Sequence, residues 1–97
     1  MNASELSARR ELEDEILHYV RHIGDIAPIT DTSVYAFVTR NRRRRVTETE
    51  VRERLLYMID KEWLRRDTEF EPGEGDVDYL HITALGMDVL DKVKPRD

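Results

Sequence analysis

From Leu12 onward, apolar side chains recur at Leu12, Ile16, Val20 and Ile23, with Leu17 and Tyr19 alongside. This three-to-four spacing lines one face of a helix. Ser4 or Ser7 can cap its start with a side-chain oxygen, and Gly24 can end it. Positions 26–29 follow as a short extended piece. Pro28 has no backbone donor and biases Ala27 away from helical angles, which restricts the segment to an edge strand or a linker. Thr30, Asp31 and Thr32 then supply oxygen-bearing caps for a brief second helix over 33–40, with Val34, Phe37 and Val38 on its inner side.

A stronger start signal stands at Thr47 and Glu50. In this T-x-x-E capping box the Thr hydroxyl accepts from the backbone N–H three residues on, and the Glu carboxylate reaches back to the N–H of the cap. Behind it Val51, Leu55, Met58, Ile59 and the stem of Glu62 share a face, which predicts a third helix of about four turns ending at Asp60 or Lys61. After Trp63 the period changes to two. Leu64, Arg66, Thr68 and Phe70 point one way and Trp63, Arg65, Asp67 and Glu69 the other, the alternation of a strand. Positions 71–76, which hold Pro72, Gly73 and Gly75, read as a hairpin tip, and 77–82 return as the second strand. Thr83 caps a last helix in which Leu85, Val89, Leu90 and Val93 pack inward and Gly86 permits a close backbone approach, with Pro95 ending the fold.

Helix, extended piece, helix, tight turn, helix, hairpin and closing helix is the order of a winged helix-turn-helix domain. Two stretches carry the resemblance. VTETEVRERLLYMIDKEWL resembles the recognition helix of that superfamily running into its wing, and YLHITALGMDVLDKV resembles the I/L-T-x-x-G-x-x-x-L segment that leaves the wing and opens the last helix in many winged-helix regulators. More distantly, the chain is similar to compact winged-helix proteins of Mu-type phages and prophages. The resemblance implies an α+β, mainly α fold with a three-helix core, a two-stranded wing hairpin and a C-terminal helix.

Length and composition fit that outline. Ninety-seven residues close one hydrophobic core, so residues 1–97 are expected to form a single domain. With 39% hydrophobic and 38% charged residues, the core must be lean and overlaid by the stems of long charged side chains. The chain has no cysteine, which removes disulfides, thiolate metal ligands and cysteine nucleophiles and suits a reducing compartment. No apolar stretch approaches the roughly 20 residues that span a bilayer, and the opening MNASELSARR lacks the apolar core of a signal peptide. A cytoplasmic location with no membrane partner is expected.

Charge alters the picture more than composition does. The net charge is −5, yet Arg40, Arg42, Arg43, Arg44 and Arg45 place five positive charges within six positions, so the rest of the chain sums to −10. An acidic body with one basic spot is expected. In a helix-turn-helix the second helix enters the major groove with its N-terminal residues against base edges while nearby cations hold phosphates. On that pattern Arg42, Arg43, Arg44 and Arg45 would clamp phosphates with Arg40 beside them, and Thr49 and Arg52 are the first candidates for base contact. The bland alternative is a solvated charge run that keeps a surface turn soluble. Against DNA stand Glu53 and Asp60 on the outward face of the third helix, Glu48 and Glu50 at its start, and Glu69, Glu71, Glu74, Asp76 and Asp78 around the wing tip. Glu48 and Glu50 also have a structural role, because acids in a first turn favour the helix dipole.

Other chemistries find little to work with. His18 and His22 stand one turn apart with Asp14 a turn earlier, but no H-E-x-x-H motif or cysteine accompanies them, so no metal is expected. His81 falls on the second wing strand with no partner legible in the sequence. There is no Gly-rich phosphate loop or nucleophile elbow, and the carboxylates lie mostly on surfaces that do not hold a catalytic geometry, so neither catalysis nor a cofactor is expected. Trp63, Phe70 and Tyr79 are assigned to core or dimer contacts, since a lean domain needs its large aromatics beneath the hairpin. The leading expectation is a transcriptional regulator that binds duplex DNA, as a homodimer joined through its first or last helix. The competing one is a protein–protein interaction module that keeps the scaffold and docks complementary charges.

Overall fold

The computed structural model describes residues 3–41 and 45–93. Its elements are α1 (Ala3–Ile23), α2 (Asp31–Asn41), α3 (Glu48–Asp60), β1 (Leu64–Glu71), β2 (Gly75–Ile82) and α4 (Ala84–Val93). This is the order expected of a winged helix-turn-helix.

α1 begins earlier than its apolar face requires. Ser4 and Ser7 lie within the helix rather than at its cap, and none of residues 3–11 is buried. The segment is rich in Ala, Leu, Glu and Arg, whose helix propensity extends α1 past the core. Its inner face buries Leu12, Ile16, Leu17 and Val20. The following piece is a linker, not a strand: Ile26 is exposed, whereas Ile29 is buried and its carbonyl accepts from the Leu80 N–H at 2.8 Å. At the start of α2, Thr30 and Ser33 cap reciprocally, each backbone N–H donating to the other's hydroxyl at 2.9 and 3.1 Å. Val34 and Val38 are fully buried, and Phe37 stacks on Tyr19 with ring centroids 4.3 Å apart.

The Thr47 hydroxyl accepts from the Glu50 N–H at 3.1 Å, as the capping box requires, and α3 buries Val51, Leu55 and Met58. Its end departs from expectation. Glu62 does not extend the buried face; it is exposed with φ at +64°. The Glu62 N–H donates to the Ile59 carbonyl and the Trp63 N–H to the Met58 carbonyl, the paired bonds of a Schellman stop with Glu in the position that glycine usually fills.

β1 and β2 form a two-stranded antiparallel ribbon in the register Leu64↔Ile82 through Glu71↔Gly75, so both strands reach further toward the tip than the sequence predicts. Gly73 and Gly75 take positive φ in the turn. The Thr83 hydroxyl accepts from the Gly86 N–H at 3.0 Å and donates to the Glu62 carbonyl at 2.5 Å, and the Thr83 N–H donates to the Trp63 carbonyl at 3.1 Å, tying the start of α4 to the segment that follows α3. Leu90 is buried and Val89 packs at the core edge, but Leu85 is exposed, contrary to its assignment to the inner face. The side chain of Val93, and Pro95, lie outside the described residues. One core joins the C-terminal half of α1 to α2, α3, the wing base and α4. Among the described residues no polar or charged one is buried, and no helix is long and apolar enough to cross a membrane.

Candidate nucleic-acid interface

Because α3 buries Val51, Leu55 and Met58 at a helical period, the positions farthest from the core are Thr49, Glu53, Leu56 and Asp60, with Arg52 and Tyr57 on the flanks. Thr49, Arg52, Glu53, Leu56 and Asp60 are all exposed. Arg40, in the last turn of α2, and Arg45, just ahead of the Thr47 cap, are exposed too. Arg42, Arg43 and Arg44 lie outside the described residues. Of the seven candidate positions, the four described ones therefore gather where α2 hands over to α3.

Their charges are unequally available. Arg52 meets Glu48 at 3.2 Å, one turn back on the same helix; both side chains are about two-thirds exposed, and a pair of that kind is held weakly enough to exchange for another anion. Arg40 and Arg45 form no ion pair with another described residue. Arg54 turns the other way. Its guanidinium bonds the Glu13 carboxylate at 2.8 Å, with the side chains 16% and 13% exposed, and it lies 5.0 Å from the centre of the Tyr57 ring. Tyr57 is drawn back further by an edge-on contact with Trp63.

The wing separates its charges by face. On the core side Leu64, Leu80 and Ile82 pack inward, Arg66 bonds Asp31 at 2.8 and 3.0 Å, and the Thr68 hydroxyl donates to Asp78 opposite. On the other face Arg65 meets Asp67 at 2.9 Å, and His81, for which the sequence names no partner, lies 3.5 Å from the same carboxylate. Arg65 is therefore occupied on the wing. The Tyr79 hydroxyl donates to Glu71 at 2.9 Å; that bond is the main cause that raises the phenol above its usual range, with desolvation and the neighbouring carboxylates adding to it. Trp63 and Tyr79 are half-buried, but Phe70 is 72% exposed, which removes the core alternative of its assignment to core or dimer contacts: at Phe70↔Asp76 the ribbon has already passed beyond the helices.

His18 and His22 stack with ring centroids 5.8 Å apart, and His18 lies 3.6 Å from Asp14. No group of three or more His, Asp or Glu side chains among the described residues is placed to hold a metal ion.

No family model and no curated protein matches the chain. Solved structures do. A PadR family transcription regulator from Clostridium difficile is similar with a TM-score of 0.66 at 18% identity, over 84% of this chain and 80% of that one. A PadR-like transcriptional regulator from Bacillus cereus gives 0.70 at 18%, over 84% and 75%. Bacillus subtilis PadR, solved in complex with operator DNA, gives 0.69 at 12%, with 91% of this chain covering 49% of that one. At these identities the likeness establishes the winged helix-turn-helix fold.

Proposed function

We propose that this protein is a transcriptional regulator that binds duplex DNA through the arginine-rich turn and α3. The observation that carries the reading is the exposed face of α3, capped at Thr47 and preceded in the sequence by five arginines in the six positions 40–45. Arg40, Arg42, Arg43, Arg44 and Arg45 hold phosphates, while Thr49 and Arg52 approach base edges. The likeness of the fold to a PadR solved with operator DNA supports the reading. The acidic wing tip stays off the backbone. A homodimer through the first or last helix would present two such faces; Leu6 on α1 and Leu85 and Met87 on α4 are large apolar side chains left exposed there.

The test is fluorescence anisotropy of a random-sequence duplex at low and moderate salt, comparing the wild type with a variant in which Arg42, Arg43, Arg44 and Arg45 are alanine. Salt-sensitive binding that the variant loses, with its thermal midpoint unchanged, is the expected result. Absence of binding at low salt sinks the proposal. It would favour the second reading, a protein-interaction module, for which the exposed Phe70 among the carboxylates of the wing tip speaks.

A further inference from the structure

Leu56 lies on the outermost ridge of α3 and is 51% exposed, although every other residue on that ridge is polar. It is not part of the buried core, where the adjacent Leu55 already fills the inner position. Glu53 stands one turn before it on the same ridge, exposed, and no ion pair to another described residue occupies its carboxylate. An apolar side chain and a free carboxylate are poor phosphate ligands. In the major groove, however, each has a specific counterpart: the C5-methyl group of thymine for the first and the N4 amine of cytosine for the second. Residues three apart on a helix are separated by about 4.5 Å along its axis, between one and two base-pair steps of about 3.4 Å, so the two side chains can reach neighbouring pairs.

We infer that Leu56 and Glu53 determine sequence specificity, Leu56 packing on a thymine methyl and Glu53 accepting from the N4 amine of a neighbouring cytosine. This rests on the DNA-binding reading and deepens it. It also gives the acidic face of α3 a use. A carboxylate carried into the groove opposite any base without a matching donor is left desolvated and unpaired, so Glu53 weakens attachment to all other sequences while the arginines strengthen attachment to all.

The experiment selects bound duplexes from a randomised library with the wild type and then replaces each consensus thymine by deoxyuridine, which removes the methyl group alone. One such replacement should weaken wild-type binding about fourfold, the value of one buried methyl-sized group. L56A should bind the thymine duplex about fourfold more weakly and be indifferent to that replacement. E53Q should lose its preference for cytosine at the adjacent pair, because its amide can donate as well as accept. Both side chains are exposed, so unchanged melting curves provide the control. Equal deoxyuridine effects in wild type and L56A overturn the inference, as does salt-sensitive binding with no consensus, which leaves the DNA-binding reading standing. No binding to any duplex removes both.

Discussion

Nη2 of Arg66, on the first wing strand, sits between the two carboxylate oxygens of Asp31, in the opening turn of α2, at 2.8 and 3.0 Å. Nearby, the Leu80 N–H donates to the Ile29 carbonyl. The wing is therefore set against α2 by an ion pair and a backbone bond, which relates the ribbon's angle to the helix that precedes the arginine run in the sequence.

Asp31→Ala should destabilise by about 1 to 2 kcal/mol in urea unfolding; the Asp31 side chain is 44% exposed, so solvent screening keeps the pair itself near the lower figure, and loss of an acid from a helix first turn adds the remainder. Arg66→Met should cost less than Asp31→Ala. It removes the buried Arg66 Nε, which has no hydrogen-bond partner, whereas loss of Asp31 strands the whole guanidinium. The reverse order would show that the pair does not anchor the wing. Hydrogen exchange at the Leu80 amide should speed up in both variants.

Adjacent leucines on α3 should behave as opposites. Leu55 is 1% exposed, and Leu55→Ala is expected to cost about 2 to 5 kcal/mol, whereas Leu56→Ala should stay within about 0.5 kcal/mol of wild type. Chemical denaturation of the two variants side by side tests the rotation of α3 about its axis. A near-neutral Leu55→Ala would mean that α3 presents a different face to the core.

Glu62 holds a left-handed backbone, φ +64°, that a side chain disfavours. Its function in the Schellman stop depends on backbone atoms alone, so Glu62→Gly should keep both bonds and relieve the strain. After the extra unfolded-state entropy of glycine is deducted, a gain of about 0.5 to 1 kcal/mol in unfolding free energy is expected. A loss measured by thermal melting would mean that the Glu62 side chain makes a contact worth more than the strain.

Gly86 presents the converse case. Helix propensity alone would make Gly86→Ala favourable by about 1 kcal/mol. A Cβ there, however, would lie 2.2 Å from the Trp63 carbonyl oxygen and 2.8 Å from Ile82 Cγ1, and a backbone carbonyl held by the Thr83 N–H has little room to retreat. The collision should win, with a net loss of about 2 kcal/mol or more as α4 lifts from the wing base. A stabilised alanine variant would show that α4 can shift without cost.

Most of the architecture was legible in the chain because its signals are local. The spacing from Leu12 to Ile23, the Thr47 cap, the change to a period of two after Trp63 and the Thr83 cap each depend on residues close together in the chain, so the order of elements and most of the buried helix positions follow from sequence, whereas the burial of Ile29, Val46 and Leu80 does not. The basic run is a fact of the sequence itself, five arginines in the six positions 40–45.

What local pattern left open was which charges are spent and which apolar groups find cover. Arg66 with Asp31 spans 35 positions and Arg54 with Glu13 spans 41, and only the packing of one element on another removes those arginines from the set available to an anion. Alternation put Phe70 on the same strand face as Leu64, which is buried, but the ribbon outruns the helices beneath it, and Leu85 is likewise left exposed at the edge of α4. Periodicity fixes the direction in which a side chain points relative to its own element; whether anything lies in that direction is decided by the lengths and angles at which elements meet, and those belong to the tertiary structure.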